Sequence, residues 1–112
     1  MIDGAHVVIY SKDAERDRAI FRDVLKLGHV DAGQDWLIFK LPPSEVAFHP
    51  AEDNNRHELY LICNDLDAEI TRLKEGGVAC DAPNPQAWGV VTNIHLPGGG
   101  RLGLYQPLHL RP

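Results

Sequence analysis

Positions 4–10, Gly-Ala-His-Val-Val-Ile-Tyr, are dominated by β-branched and aromatic side chains and stop at a polar cluster, the pattern of a strand. Ser11 and Asp13 are both suited to cap a helix, and Glu15 places an acid in its first turn. Ile20, Phe21, Val24 and Leu25 then recur at helical spacing, with Arg16, Asp17, Arg22, Asp23 and Lys26 on the opposite face and Gly28 as the expected stop. Three short apolar pieces follow, at 29–33, 35–41 and 45–49, separated by Gly33-Gln34 and Pro42-Pro43. They predict a small antiparallel meander.

The pattern restarts at residues 57–63, His-Glu-Leu-Tyr-Leu-Ile-Cys, which predict a second strand. Asn64 or Asp65 caps a helix carrying Leu66, Ile70 and Leu73 on one face, and Gly76-Gly77 ends it. Further strands are expected around 78–81, 88–95 and 101–106, with turns at Pro83-Asn84-Pro85 and Pro97-Gly98-Gly99-Gly100. Both halves thus read strand, helix, three strands, and His6 and His57 open them 51 positions apart. Two such copies pair into one pseudo-symmetric sheet with helices on one face, leaving the other face free to hold something.

Composition narrows the class. At 112 residues, 44% hydrophobic and 24% charged, the chain suits one globular domain over 1–112, built of half-domains at about 4–50 and 56–107. Its net charge of −5, without a Lys/Arg cluster, argues against nucleic acid and against anionic membrane surfaces. No apolar run approaches the roughly 20 residues that span a bilayer, and residues 1–20 lack a secretion-signal pattern. Cys63 and Cys80 form no CxxC pair, so a reducing, cytoplasmic location is expected.

The run from His6 through Asp13 to Phe21-Arg22-Asp23-Val24-Leu25 resembles the opening of the vicinal oxygen chelate superfamily, which includes glyoxalase I, bleomycin-resistance proteins and extradiol dioxygenases. The second half is similar to it in His57, Asn64-Asp65-Leu66-Asp67-Ala68, Leu73-Lys74-Glu75-Gly76-Gly77-Val78, Trp88-Gly89, Leu96-Pro97-Gly98-Gly99-Gly100 and Leu104-Tyr105-Gln106-Pro107. The resemblance spans about residues 4–107. It implies an α+β fold of two βαβββ modules, curled into a mixed-sheet cup with helices outside, that binds small molecules, often as a homodimer. A short chain with exposed sheet edges points to a homodimer as well.

Metal-dependent members take a ligand from the first and last strand of each module. Carried over by position, the resemblance implies His6 and His57, while the two carboxylate positions fall at Ala47 and Gly103, neither of which ligates through a side chain. Glu45 and His49 share the strand parity of Ala47, so one of them is the candidate third ligand of a divalent ion such as zinc, nickel, manganese or iron. By the same alternation Glu58 should face away from His57 and the cup, whereas Cys63 shares the parity of His57. Trp36, Trp88, Tyr105 and His49 are the candidate substrate-binding residues; His29, His95 and His109 match no ligand position, and 109–112 is expected to be a loose tail.

Two function classes remain open. One is a glyoxalase/dioxygenase-like enzyme in which a divalent ion with a degenerate ligand set assists a lyase, isomerase or dioxygenase reaction. The alternative is a metal-free protein of bleomycin-resistance type that binds and sequesters a small molecule.

Overall fold

The computed structural model describes residues 5–112. Helix α1 (Ala14–Ala19) starts where the Asp13 carboxylate accepts the Arg16 amide at 3.2 Å. Ile20–Val24 continues it as a π-turn, the Leu25 amide donating to the Ile20 carbonyl at 2.9 Å. The helix closes at Lys26, two residues before the expected stop. Lys26 takes the left-handed conformation (φ 56°), and the Leu27 amide reaches back to the Phe21 carbonyl at 3.1 Å.

Strands β1 (His29–Asp31) and β2 (Leu37–Phe39) pair antiparallel, His29 opposite Phe39. Residues 5–10 and 45–49, both expected to be strands, have no ladder partner among the described residues. Their sequences favour extension, but a strand also needs a neighbouring edge, and Pro42, Pro43 and Pro50 remove amide donors around the second segment. Val7, Val8, Ile9, Tyr10, Val46 and Phe48 are consequently exposed.

The second half is the more regular. Strand β3 (Tyr60–Ile62) leads to helix α2 (Leu66–Glu75), whose Asp65 cap accepts the Ala68 amide at 3.1 Å. Gly76 and Gly77 end α2, Gly77 at φ 81°, where a side chain would be strained. Residues 78–81, expected to be a strand, make only an isolated antiparallel bridge, Cys80 to Ile94. Strand β4 forms at Asn84–Gln86, within the segment expected to turn, where it pairs antiparallel with residues 89–91. Strands β5 (Gly89–His95) and β6 (Arg101–Pro107) complete a sheet of order β3-β6-β5-β4, with β3 and β6 parallel and the other neighbours antiparallel.

One apolar cluster draws on both halves: Phe21 with Leu66, Leu73, Val78, Ile94, Leu96, Leu102 and Leu104. A polar link reinforces it, since the buried Asp17 carboxylate accepts the Gly98 amide in the β5–β6 turn at 2.8 Å. The fold is therefore α+β, with helices covering one side of the four-stranded sheet.

Candidate functional site on the open sheet face

Strand alternation assigns the side chains of the four-stranded sheet to two faces. Leu59, Leu61, Cys63, Leu102, Leu104, Val90 and Ile94 belong to the apolar cluster beneath the helices. Tyr60, Ile62, Gly103, Tyr105, Val91 and Asn93 therefore occupy the opposite, open face, joined by the register Tyr60↔Gly103, Val91↔Tyr105 and Asn93↔Gly103.

Three aromatic side chains gather there. The Tyr105 ring stands 5.8 Å from Tyr60 and 5.2 Å from Trp88, edge-on to both at 84° and 79°. Tyr60 is 40% exposed and Trp88 43%, so their surfaces reach solvent. The Tyr60 hydroxyl donates to Glu58 Oε2 at 2.9 Å, while Tyr105 Oη lies 3.2 Å from His109 Nε2. Partial burial raises both phenols above their ordinary pKa, Glu58 adding to the effect at Tyr60 and Glu45 at Tyr105. Both act as neutral hydroxyls.

A polar group occupies the other end of the β5–β6 ladder, at the turn. His95 pairs across the ladder with Arg101, and its Nε2 lies 2.7 Å from Asp81 Oδ1 and 2.7 Å from Arg101 Nη1. A single ring nitrogen serves one partner at a time, as a donor to the carboxylate or as an acceptor from the guanidinium. The His95 hydrogen bond, followed by Asn93 and Arg101, holds the Asp81 pKa below its ordinary value.

Of the expected binding residues, Trp88 and Tyr105 are brought together. Trp36 is 57% exposed and lies under Arg18 of α1, 5.2 Å from its ring centroid, with no ring contact to the cluster among the described residues. His49 is exposed, and its Nδ1 donates to the Pro50 carbonyl at 2.7 Å. Glu45 forms a 3.7 Å ion pair with Arg111. His6 and His57 are both exposed and outside any strand. The parity shared by His57 and Cys63 leads to the helix side, because Cys63 packs on the core, where burial raises its thiol pKa. The tail is engaged rather than loose. Its His109 ring lies 5.9 Å from Tyr105, and Arg111 pairs with Glu45 at 3.7 Å.

Tyr60, Glu58 and the Asp81–His95–Arg101 group were not among the expected site residues. The signal for Tyr60 lay in the sequence: Leu59, Leu61 and Cys63 form the apolar alternation ahead of the α2 cap, which leaves Tyr60 on the other face.

The donors present do not fit a resident metal ion. Among the described residues no three His, Cys, Asp or Glu side chains converge, and Gly103, which has no side chain to ligate with, is covered by the Tyr60 ring. Two shallow hollows lie elsewhere. A groove of about 680 Å³ runs beside the ends of β3 and β6, but its Arg72 is neutralised by Glu69 at 2.6 Å and its Arg111 by Glu45. The other, about 390 Å³, borders the β1–β2 hairpin at His29, Ile38 and Lys40.

No family model and no curated protein matches the sequence. Solved structures do. An antibiotic-binding protein from a Streptomyces species is 25% identical over 96% of this chain and 99% of its own, with a TM-score of 0.66. A lactoylglutathione lyase from Agrobacterium tumefaciens is 16% identical over 93% and 92%, with a TM-score of 0.65. A member of the glyoxalase/bleomycin resistance protein/dioxygenase superfamily from Sphaerobacter thermophilus is 22% identical over 94% and 98%, also at 0.65. These likenesses give the chain a fold shared with solved proteins of the glyoxalase/bleomycin resistance/dioxygenase superfamily, one that fits the vicinal oxygen chelate fold.

Proposed function

We propose that the protein binds and sequesters a small aromatic molecule on the open sheet face without a metal ion. The observation that carries this reading is the Tyr60–Tyr105–Trp88 cluster: Tyr105 stands edge-on to both other rings on a sheet face that the helices leave uncovered. A planar ligand stacking on such rings gains apolar burial together with about 0.5–1.5 kcal/mol for each aromatic pair. The similarity to an antibiotic-binding structure over nearly the whole chain supports a binding role. The absence of a convergent three-donor group among the described residues disfavours the metal-assisted alternative on the chemistry of the donors themselves.

Tryptophan emission tests it. 2-Naphthol, a planar phenol, should quench Trp88 and spare Trp36. The quenching should therefore persist in Trp36→Phe and vanish in Trp88→Phe. Quenching lost in Trp36→Phe instead would place the ligand elsewhere. Stoichiometric zinc binding abolished by His6→Ala would revive the metal reading.

A further inference from the structure

We propose that Tyr60, seated on Gly103, is the specificity-determining residue of the open face, and that the pair selects uncharged planar aromatic ligands. This rests on reading that face as the ligand site.

The seat is specific. Tyr60 and Gly103 are direct partners in the parallel β3–β6 ladder. A Cβ on residue 103 would lie 2.5 Å from Tyr60 Cε1 and 2.8 Å from Cγ, with Cδ1 closer still. Several ring atoms within that range mean the ring lies across the glycine backbone, so any side chain at 103 evicts it. Two further contacts fix the ring: its hydroxyl donates to Glu58 at 2.9 Å, and it meets Tyr105 edge-on at 5.8 Å. Tyr105 in turn abuts Trp88 at 5.2 Å, so displacing Tyr60 removes one wall of the cluster. The position that suits a carboxylate in a metal-binding arrangement is thereby built over with an aromatic surface.

Charge sets the ligand class. The carboxylates nearest the rings are countered: Glu58 has Arg56 at 3.7 Å and Glu45 has Arg111 at 3.7 Å. Asp81, at the polar end of the face, is matched by Arg101 at 3.2 Å. Each of these carboxylates has a basic partner, so they offer a charged ligand no unpaired counter-charge to repay its desolvation, and the rings act through apolar contact.

Fluorescence anisotropy with 2-naphthol, 2-naphthoate and 2-naphthylmethylammonium tests the proposal. 2-Naphthol should bind at least about tenfold more tightly than either charged analogue. Gly103→Ala and Tyr60→Ala should each weaken it about tenfold or more. The double variant should be no weaker than Tyr60→Ala alone, because an evicted ring cannot be lost twice. It should also recover the thermal stability that Gly103→Ala loses. Gly103→Ala binding like wild type, losses that multiply in the double variant, or a charged analogue bound as tightly as 2-naphthol would overturn it. If wild type binds none of the three, the ligand-site reading falls, and near-ultraviolet circular dichroism then decides the seating alone. Gly103→Ala must lose aromatic signal as Tyr60→Ala does, and an unchanged spectrum would contradict the seat.

Discussion

Individual side chains here do work that their residue type alone does not announce. Asp17 is acidic and sits among charged neighbours on its helix, yet it is buried and accepts the Gly98 amide, joining the first helix to the β5–β6 turn. Gly103 is defined by what covers it. Asp81 is set by His95, whose hydrogen bond is the largest influence lowering its pKa. A carboxylate with a lowered folded-state pKa contributes stability above its unfolded pKa, and that contribution is lost as pH falls through the folded value. An NMR titration should therefore place the Asp81 midpoint below the ordinary aspartate value and move it upward in His95→Ala. A midpoint unmoved by that substitution would show that the dyad is not formed in solution.

At the scale of elements, the helix capped by Asp13 ends on Lys26, a lysine held in the left-handed conformation. Lys26→Gly removes that strain and should raise stability by up to about 1 kcal/mol, measured by urea denaturation. A loss of stability would mean that the lysine stem contributes packing worth more than the strain. The helices and strands β5 and β6 were legible because caps, glycine stops and apolar alternation are local signals, seen in Asp65, Gly76-Gly77 and the run 101–106. Residues 4–10 were not legible in the same way. Their β-branched composition is a local signal, whereas a ladder partner is a tertiary fact, and the described residues 5–10 have none. The site divided similarly. Trp88 and Tyr105, both expected at the site, do meet ring to ring, whereas Trp36 lies under Arg18 through a contact that strand parity does not encode. Tyr60 was hidden because parity was counted from His57 rather than from the apolar series Leu59, Leu61 and Cys63.

For the whole molecule, the two halves differ among the described residues: a four-stranded sheet in the second and a two-stranded hairpin in the first. Segment 5–10 carries exposed Val7, Val8, Ile9 and Tyr10 on successive positions, and so on both of its faces. Unpaired apolar strand-formers of this kind are ordinarily covered by another chain. A homodimer is the expected assembly, and light scattering at micromolar concentration should return twice the 12.5 kDa of one chain. A mass of one chain would leave those residues uncovered and refute it. The account's central claim is narrower: the rings of Tyr60, Tyr105 and Trp88 form the ligand surface. A crystal structure of the protein soaked with 2-naphthol tests it most directly. The account predicts the naphthalene ring against Tyr60 and Tyr105 beside Trp88, with no ion between His6 and His57. A ligand seated in the groove beside Arg72 and Arg111, with the three rings bare, would contradict it.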